Sequence, residues 1–589
     1  MLENKITLKS IFSLILDKKP ALIYGQIITL FAITVSVPIP LILPMMVDEV
    51  LLEKPASFVA TITTLFGEGS AFYYVAIVTL AVIFLRFLYY LLNAVIVRIF
   101  TKISKYVTFM IRKRLIQHLK ITSMNAYETL GSGAITSNLV TDINTFDAFI
   151  MTGISKLVSA TLTLIAVAGV MIMMNPILGL LILIIQPLNV LMSKKMSKAV
   201  GVLKRNENEA IENFQNNIGE TLDLYGQIKA SNKEEYFFNK AITNAKIIQT
   251  TSNEYSFKSV IYEKLSNTIS LGMFEILRAS GFLLVVYSDL SIGMMFAMFG
   301  YIWFIMTPVQ EILSLQYSYA SAMGALRRIN KILVLTTENS GLEIIQAQHV
   351  DIQLKELDFS YSNNKPILQN ISMNIRSGSK IALIGASGSG KTTLAQIISG
   401  FYEKKAGTLS YNTKDIETLD KKSLRERIFL VLQMPILFNA TLRFNITMGD
   451  ENTSDEAIKK ALKIAQLDSM IEDMEDGLDT IVGRHGIRLS GGQRQRLSIA
   501  RMIIANPSVV IFDESTSALD VQTEAKLQIA LEPILKEKTV ITIAHRLSTV
   551  KNADTIYVLD KGTITQSGTH EELEKEEGHY NSFVKNQLL

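Results

Sequence analysis

The sequence predicts a chain of two parts: an α-helical membrane domain, followed by an α/β domain of the phosphate-loop type with a helical subdomain. The chain has 589 residues, of which 49% are apolar, and its mean hydropathy is +0.28. Its long apolar runs are concentrated before residue 310, whereas the C-terminal part has short strand-like runs ending in polar residues. This length exceeds what one hydrophobic core usually organises, so we expect at least two units.

Six apolar runs are each long enough to cross about 30 Å of hydrocarbon. They are predicted near residues 21–47, 72–97, 154–174, 177–193, 266–287 and 293–313. If 294–333 is one helix it is about 60 Å long, so the membrane helices are expected to project into the cytosol. The predicted domains are 1–335 for the membrane part, 336–349 for a linker and 350–589 for the α/β part.

Lysine and arginine are concentrated between particular spans. Residues 194–264 hold eleven of them and 98–153 hold seven, whereas 48–71 hold only Lys54. By the positive-inside rule, this pattern predicts six spans with both termini in the cytoplasm, as in a multi-pass protein of the inner (cell) membrane. Residues 1–20 mix lysines with apolar residues, which is typical of an interfacial helix or of a solvated tail.

Charge and cysteine content remove several classes of function. The net charge is only +4, so the composition does not indicate a basic surface for binding nucleic acid. The chain has no cysteine, so disulfides and thiolate metal sites are impossible. No cleavable signal peptide is expected ahead of the first span.

A glycine-rich loop follows a predicted strand at 381–384 and precedes a helix predicted to start at Thr393. Its sequence fits G-x-x-x-x-G-K-[ST], in which the main chain wraps phosphates and the helix N-terminus attracts them. Lys391 is expected to reach the β and γ phosphates of ATP, and Thr392 to ligate Mg²⁺. A glycine-rich turn that binds nothing is the alternative. The predicted nucleotide-binding residues here are Gly385, Ala386, Ser387, Gly388, Ser389, Gly390, Lys391, Thr392 and Thr393.

About 120 residues later, a second polar cluster follows another predicted strand. Residues 509–512 have the composition of a buried parallel strand and end in Asp513 and Glu514, where α/β sheets bind ligands. Hydrolysis needs a metal ligand and an activated water. We therefore predict that Asp513 holds Mg²⁺ and that Glu514 is the general base. A structural acid at the strand end is the alternative for Glu514.

The segments 489–493 (LSGGQ), 385–392 and 544–549 (AHRLST) together resemble the ATP-binding cassette of ABC transporters. With the apolar N-terminal half, the whole chain resembles an exporter-type half-transporter of the bacterial lipid, multidrug or peptide kind. The resemblance is very specific in the last 240 residues and looser in the membrane half. It also implies that the turns near 126–142 and 217–226 are coupling helices that press on the ATPase.

The resemblance implies roles for further residues. His545 would sense the γ-phosphate and orient water, Gln433 would approach Mg²⁺, and Tyr361 would stack on adenine. The signature segment would bind the γ-phosphate held by a second cassette, and Asp520 would lie across that interface. The predicted binding residues of this signature segment (LSGGQ) are Ser490, Gly491, Gly492 and Gln493. One cassette per chain therefore implies a dimer: a homodimer is the economical interpretation, and a heterodimer with a degenerate partner is the alternative.

Arg86, Glu275 and Arg278 are ionisable residues inside predicted spans. At the bilayer centre each costs about 2.5–3.5 kcal/mol, so none is expected to face lipid. We interpret the three as the polar wall of a substrate cavity. Because Glu275 and Arg278 are three apart on a helix and able to pair, a structural ion pair is the alternative.

The predicted function is an ATP-hydrolysing exporter that uses ATP and Mg²⁺ and moves a lipid, drug or peptide by alternating access. An importer of the same fold is one alternative, and an ATP-gated channel or regulator is another. Six membrane spans exclude a soluble ATPase acting on ribosomes or DNA. The expected partners are a second copy of the chain, the lipid bilayer and the substrate, with no nucleic acid.

Overall fold

The computed structural model describes residues 5–53, 57–346, 349–361, 365–483, 489–514, 519–544 and 546–588. The chain divides into two compact units. The first comprises Met1–Leu119 and Gly133–Val334, and the second comprises Lys120–Ser132 and Leu335–Leu589. A short segment between two membrane-domain helices thus belongs to the second unit.

In its described residues, the N-terminal half is built of helices, many of them long, with short connections. In chain order its helices are α1 (Leu8–Leu16), α2 (Lys19–Ser36), α3 (Ile39–Met45), α4 (Ser57–Phe66), α5 (Ala71–Leu119), α6 (Met124–Leu130), α7 (Ser132–Ser137), α8 (Ile143–Met174), α9 (Pro176–Asp223), α10 (Tyr225–Ala230), α11 (Glu234–Tyr287) and α12 (Ile292–Leu333). Two π-helical turns, Met46–Leu51 and Asn138–Asp142, follow α3 and α7.

Five segments among the described residues are long and apolar enough to cross a membrane: Lys19–Leu51, Ala71–Leu119, Ser132–Met174, Glu234–Tyr287 and Ile292–Ile312. The run predicted at 177–193 lies within helix α9, and many of its side chains are outside the described residues. Helix α5 has 49 residues, about 70 Å at 1.5 Å per residue. Its length is therefore more than twice the thickness of the hydrocarbon core. This agrees with the prediction that the membrane helices extend beyond the bilayer.

Long helices of the first unit pack along one another in pairs. Helix α9 packs along α11, α8 along α12, and α2 along α5. Buried side chains of α2, α8, α11 and α12 meet in one cluster that includes Ile33, Val167, Leu277 and Tyr301. The buried Tyr301 hydroxyl donates to the carbonyl oxygen of Val37 at 2.6 Å, so this polar group is satisfied inside the cluster.

The described residues of the second unit form three sheets. Its strands are β1 (Ile352–Phe359), β2 (Leu368–Ile375), β3 (Lys380–Gly385), β4 (Ala406–Tyr411), β5 (Lys414–Asp415), β6 (Ile428–Val431), β7 (Ala440–Thr441), β8 (Ile481–Val482), β9 (Val509–Asp513), β10 (Thr539–Ile543), β11 (Thr555–Asp560) and β12 (Thr563–Gly568). The main sheet has the order β12-β11-β3-β10-β9-β6, and an antiparallel sheet has the order β2-β1-β4-β5. Strands β7 and β8 form a separate pair.

Helices cover the sheets and form the predicted helical subdomain. They are α13 (Lys391–Ile398), α14 (Lys421–Arg427), α15 (Leu442–Thr447), α16 (Asp455–Ile464), α17 (Asp468–Glu472), α18 (Gly491–Ala505), α19 (Val521–Leu535), α20 (Leu547–Lys551), α21 (His570–Leu573) and α22 (His579–Leu588). Helices α15, α16 and α18 share a buried apolar cluster with β8, and this cluster is the core of the subdomain.

Candidate functional site

The main sheet brings the polar strand ends together. Strands β3, β10, β9 and β6 are parallel, and Ile543 at the end of β10 is in register with both Leu383 and Asp513. Gly385 ends β3, and Gln433 comes two residues after β6. The loops that follow these strands are far apart in sequence, but they meet at the carboxyl ends of the strands. This is where α/β sheets bind ligands.

The loop after β3 has a backbone that only glycine accommodates at two points. Gly385 has φ of +148°, and a Cβ there would lie 2.1 Å from the carbonyl oxygen of Leu559. Gly390 has φ of +103°, and a Cβ there would meet Leu368 at 2.7 Å. Because Gly390 caps the helix in this left-handed conformation, α13 begins at Lys391, two residues before the predicted start at Thr393.

Lys391 folds over its own loop. Its Nζ donates to the carbonyl oxygens of Gly385 and Ala386, each at 2.9 Å. Burial lowers the pKa of Lys391, while the nearby carboxylates of Glu514 and Asp513 oppose that shift. A cation held at the rim of a glycine loop, with helix amide groups behind it, suits a polyphosphate.

Thr392 and Asp513 form an oxygen pair behind the loop. The Thr392 hydroxyl donates to Oδ1 of Asp513 at 3.2 Å. Asp513, which ends β9, is only 2% exposed. A hydroxyl and a carboxylate so placed are the hard oxygen ligands that Mg²⁺ prefers. The residues present therefore fit this cation.

Glu514 stands beside Gln433. Its backbone has φ of +45°, a left-handed conformation that is uncommon for non-glycine residues and frequent at functional sites. The Gln433 side-chain amide donates to Oε2 of Glu514 at 2.6 Å. The Gln495 side chain in turn donates to the Gln433 backbone carbonyl at 3.2 Å. Gln495 therefore supports the predicted base indirectly, a role that the sequence analysis missed because spacing does not reveal it.

The LSGGQ segment forms the start of helix α18. Ser490 is the N-cap: its hydroxyl accepts from the Gln493 backbone N–H at 3.2 Å, while Gln493 Oε1 accepts from the Ser490 N–H at 2.7 Å. This reciprocal pair is a capping box. Ser490 and Gly491 are exposed, so the N-terminus of a 15-residue helix faces outward with its positive dipole end.

Asp520 has a local structural role. It caps α19 by accepting a hydrogen bond from the Thr523 backbone N–H at 2.9 Å. This bond and its neighbours lower the pKa of the Asp520 carboxyl. His545, predicted to sense the γ-phosphate, lies outside the described residues.

Tyr361 lies against the start of α13. Its hydroxyl and that of Thr393 are 3.0 Å apart, and the residue is 38% exposed. Phe359 and Tyr402 pack edge-on against it, with ring centroids at 5.0 and 5.2 Å. An aromatic ring that is supported from the side and partly open suits the stacking of a nucleotide base.

In the first unit, a cavity of about 1140 Å³ is lined by α3, α5, α8 and α12. Most of its wall is apolar, but Arg86 is part of it, and so are Lys156 and Glu311, which pair at 3.3 Å. Lys156 and Glu311 fall inside the predicted third and sixth spans, but neither was predicted from the sequence to line the cavity.

The structure does not bring Glu275 and Arg278 into this wall. They form an ion pair with each other on α11, and their side chains are 53% and 47% exposed. Neither residue is among the described residues that line the cavity. The pair compensates its own charges locally, as the structural alternative expected, so neither residue needs a cavity to satisfy it.

Family models match both halves of the chain. The model described as the ABC transporter transmembrane region matches residues 25–309, and the ABC transporter model matches residues 368–517. The first range contains most of the apolar helices, and the second contains the glycine loop, Gln433, the LSGGQ segment and the Asp513–Glu514 strand end.

Curated relatives extend over most of the chain. The putative multidrug export ATP-binding/permease protein YgaD of Bacillus subtilis is 30% identical over 486 residues, which is 80% of this chain and 82% of the relative. The ATP-dependent lipid A-core flippase of Desulfotalea psychrophila is 31% identical over 476 residues, 80% of this chain and 82% of the relative.

A solved structure shows the same fold. The bacterial Atm1-family ABC exporter with ATP bound superimposes with a TM-score of 0.82 at 22% sequence identity, over 97% of this chain and 98% of that one. Likeness of fold alone does not establish the family. The sequence relatives establish it, and the geometry of the candidate site agrees with it. The chain belongs to the ABC transporter family, as an exporter-type half-transporter that joins one membrane domain to one ATP-hydrolysing cassette.

Proposed function

We propose that two copies of this chain form the working exporter, which clamps ATP and Mg²⁺ between its cassettes and moves an amphipathic or hydrophobic substrate outward. One observation carries the proposal. The phosphate loop, the Thr392–Asp513 pair and the Gln433–Glu514 pair meet at one edge of a parallel sheet. This convergence gives the parts that phosphoryl transfer to water requires.

Within this site each residue has a distinct task. The loop amides and Lys391 would bind the phosphates, and Tyr361 would stack on adenine. Mg²⁺ would be held by Thr392 and Asp513, with Gln433 nearby, and when bound it neutralises phosphate charge. Glu514 would accept the proton of the attacking water. The 2.6 Å bond from Gln433 fixes the direction of that carboxylate, so the base is oriented before water arrives.

The dimer follows from the outward-facing signature. Ser490 and Gly491 are exposed, and the capping box holds the helix N-terminus in place without burying it. An exposed, pre-formed anion site on one copy is suited to the γ-phosphate held by another copy. The homodimer is the simplest assembly because this chain supplies both halves of such a composite site.

The orientation proposed for the membrane domain rests on charge. Because the lysines and arginines lie in 98–153 and 194–264, these segments are placed in the cytoplasm together with both termini. The cassette is then cytoplasmic, where ATP is available. Relatives described as multidrug export and lipid A-core flippase proteins favour outward movement over import.

The cavity indicates the kind of substrate. Its volume of about 1140 Å³ slightly exceeds the usual range of drug-sized sites. The apolar wall suits a hydrocarbon body, and Arg86 suits an anionic group, whereas Lys156 and Glu311 compensate each other. We therefore propose an amphipathic substrate with an acidic group, which fits a lipid or a drug of this type.

Replacing Arg86 with alanine tests this assignment. We expect Arg86→Ala to raise the concentration of an anionic amphipath needed for half-maximal transport by about tenfold or more, because a charge-assisted hydrogen bond is lost. The double variant Glu275→Gln/Arg278→Gln is the control, since it removes an intramembrane ion pair without leaving a lone charge. An unchanged half-maximal concentration in Arg86→Ala would contradict the proposed substrate class.

Reconstituted vesicles test the function itself. Substrate accumulation is measured with ATP, with a non-hydrolysable ATP analogue and without nucleotide. An exporter requires hydrolysis and moves substrate against its gradient. Flux down the gradient with the analogue alone would favour the ATP-gated channel instead.

A further inference from the structure

Tyr402 contacts both Tyr361, which is proposed to stack on adenine, and helix α6. It lies between α13 and β4 and is only 7% exposed. Its ring packs edge-on against Tyr361, at 5.2 Å and 87° between ring planes. Its hydroxyl donates to the Glu128 carboxylate, 3.0 Å from each oxygen. One end of Tyr402 thus touches the ring proposed to carry adenine, and the other end touches helix α6.

Within the second unit, backbone hydrogen bonds hold the start of helix α6 to the linker. The Ser123 N–H donates to the Thr336 carbonyl at 2.9 Å, and the Glu338 N–H donates to the Ile121 carbonyl at 2.8 Å. The linker therefore fixes the residues just before α6. The helix itself has no buried residue, so its second turn depends on side-chain links such as that from Glu128 to Tyr402.

The Tyr402 hydroxyl is a constant hydrogen-bond donor. Burial raises its pKa, and the bond to Glu128 raises it further, so the phenol stays protonated at every physiological pH. Its ring packs against both Phe359 and Tyr361. Tyr361 is tied through its hydroxyl to Thr393, the residue after Thr392. A base stacked on Tyr361 would therefore restrict the ring against which Tyr402 packs.

We propose that Tyr402 is a positioning residue that links adenine occupancy at Tyr361 to the position of α6 through Glu128. This inference rests on the proposed function and adds a route from the base, distinct from the phosphate end of the nucleotide. Helix α6 continues through Gly131, at φ of +76°, into α7 of the membrane domain. A change at Glu128 therefore acts on a segment directly bonded to the membrane helices.

Hydrogen exchange of α6 in full-length dimers tests the link. In the wild type, saturating ATP is expected to protect the backbone amides of 124–130. In Tyr402→Phe this ATP-dependent protection is expected to disappear, and substrate moved per ATP to fall about fivefold, the low end of typical coupling factors. The KM for ATP should stay within about twofold, because the ring that packs on Tyr361 is retained.

Tyr557→Phe is the matched control. Tyr557 lies on β11 of the same unit, is 8% exposed, and its hydroxyl donates to the Asn374 carbonyl at 3.2 Å. The variant Tyr557→Phe therefore removes a tyrosine hydroxyl that is buried to a similar degree, and it leaves the bond between Tyr402 and Glu128 in place. We expect its α6 protection and transport per ATP to match the wild type.

Glu128→Gln is the second variant, and it covers the case in which Tyr402→Phe fails to fold. It keeps an acceptor but removes the charge, so a smaller loss in the same direction is expected. Combining it with Tyr402→Phe should add nothing, since both act on one bond.

Normal ATP-dependent protection of α6 in both Tyr402→Phe and Glu128→Gln would overturn the link and leave the proposed function intact. Wild-type vesicles that hydrolyse ATP without moving substrate would contradict the proposed function, while the exchange measurement would still decide the link.

Discussion

Chains carrying Glu514→Gln are expected to bind ATP and to hydrolyse it at least about a hundredfold more slowly than the wild type, the usual range for loss of a general base. Glutamine has the same shape, and its side-chain oxygen still accepts the hydrogen bond from Gln433. It lacks the ability to take a proton from water. The measurement is phosphate release beside equilibrium binding of ATP in the purified protein.

Glu537→Gln is the control for Glu514→Gln, because it neutralises an exposed carboxylate of the same unit. It should leave turnover unchanged. If Glu514→Gln retained a tenth or more of wild-type turnover, Glu514 would not be the base, and the structural interpretation of this strand-end acid would stand.

A mixture of two inactive variants is expected to recover activity if each site is shared between copies. Lys391→Ala disables the phosphate loop, and Ser490→Arg blocks the signature. Each homodimer then has two defective composite sites. A dimer of one chain of each kind has one site with both defects and one intact site.

Co-expression of the two variants gives half mixed dimers at random pairing, so about a quarter of wild-type ATPase activity is expected if sites act independently. Differently tagged chains, purified through both tags, isolate the mixed dimer and should show about half. Mixing the Lys391→Ala chain with an equally inactive Lys391→Ala/Ser490→Arg chain is the control, and it restores nothing. Failure of the isolated mixed dimer to hydrolyse ATP would contradict sharing of the site.

Local patterns were sufficient to predict much of the candidate nucleotide site. The loop 385–392, the signature at Ser490 and the carboxylates after β9 are all contiguous motifs, and each depends on residues within a few positions of one another. Membrane spans could equally be predicted from the apolar runs, because a helix that crosses the hydrocarbon needs about 20 apolar residues in a row, whatever its neighbouring helices are. Helix starts were less well defined: α13 begins at Lys391 because Gly390 adopts a left-handed cap.

Contacts between distant segments were not accessible in this way. Tyr402 and Glu128 are 274 positions apart, and no spacing rule joins them. The same holds for Lys156 and Glu311, which meet across two helices. Glu275 and Arg278 are close in sequence, but whether they face a cavity or only pair with each other depends on how α11 is rotated.

The sequence alone thus determined the family and the division into a membrane domain and a cassette, and it supplied the candidate residues for nucleotide chemistry, since these depend on composition and on short-range geometry. Only the tertiary structure decided which charges face the cavity, how Gln433 orients Glu514, and that residues 120–132 belong with the cassette. Those outcomes depend on helix rotation, strand register and side-chain packing, which arise when segments far apart in the chain are brought into contact.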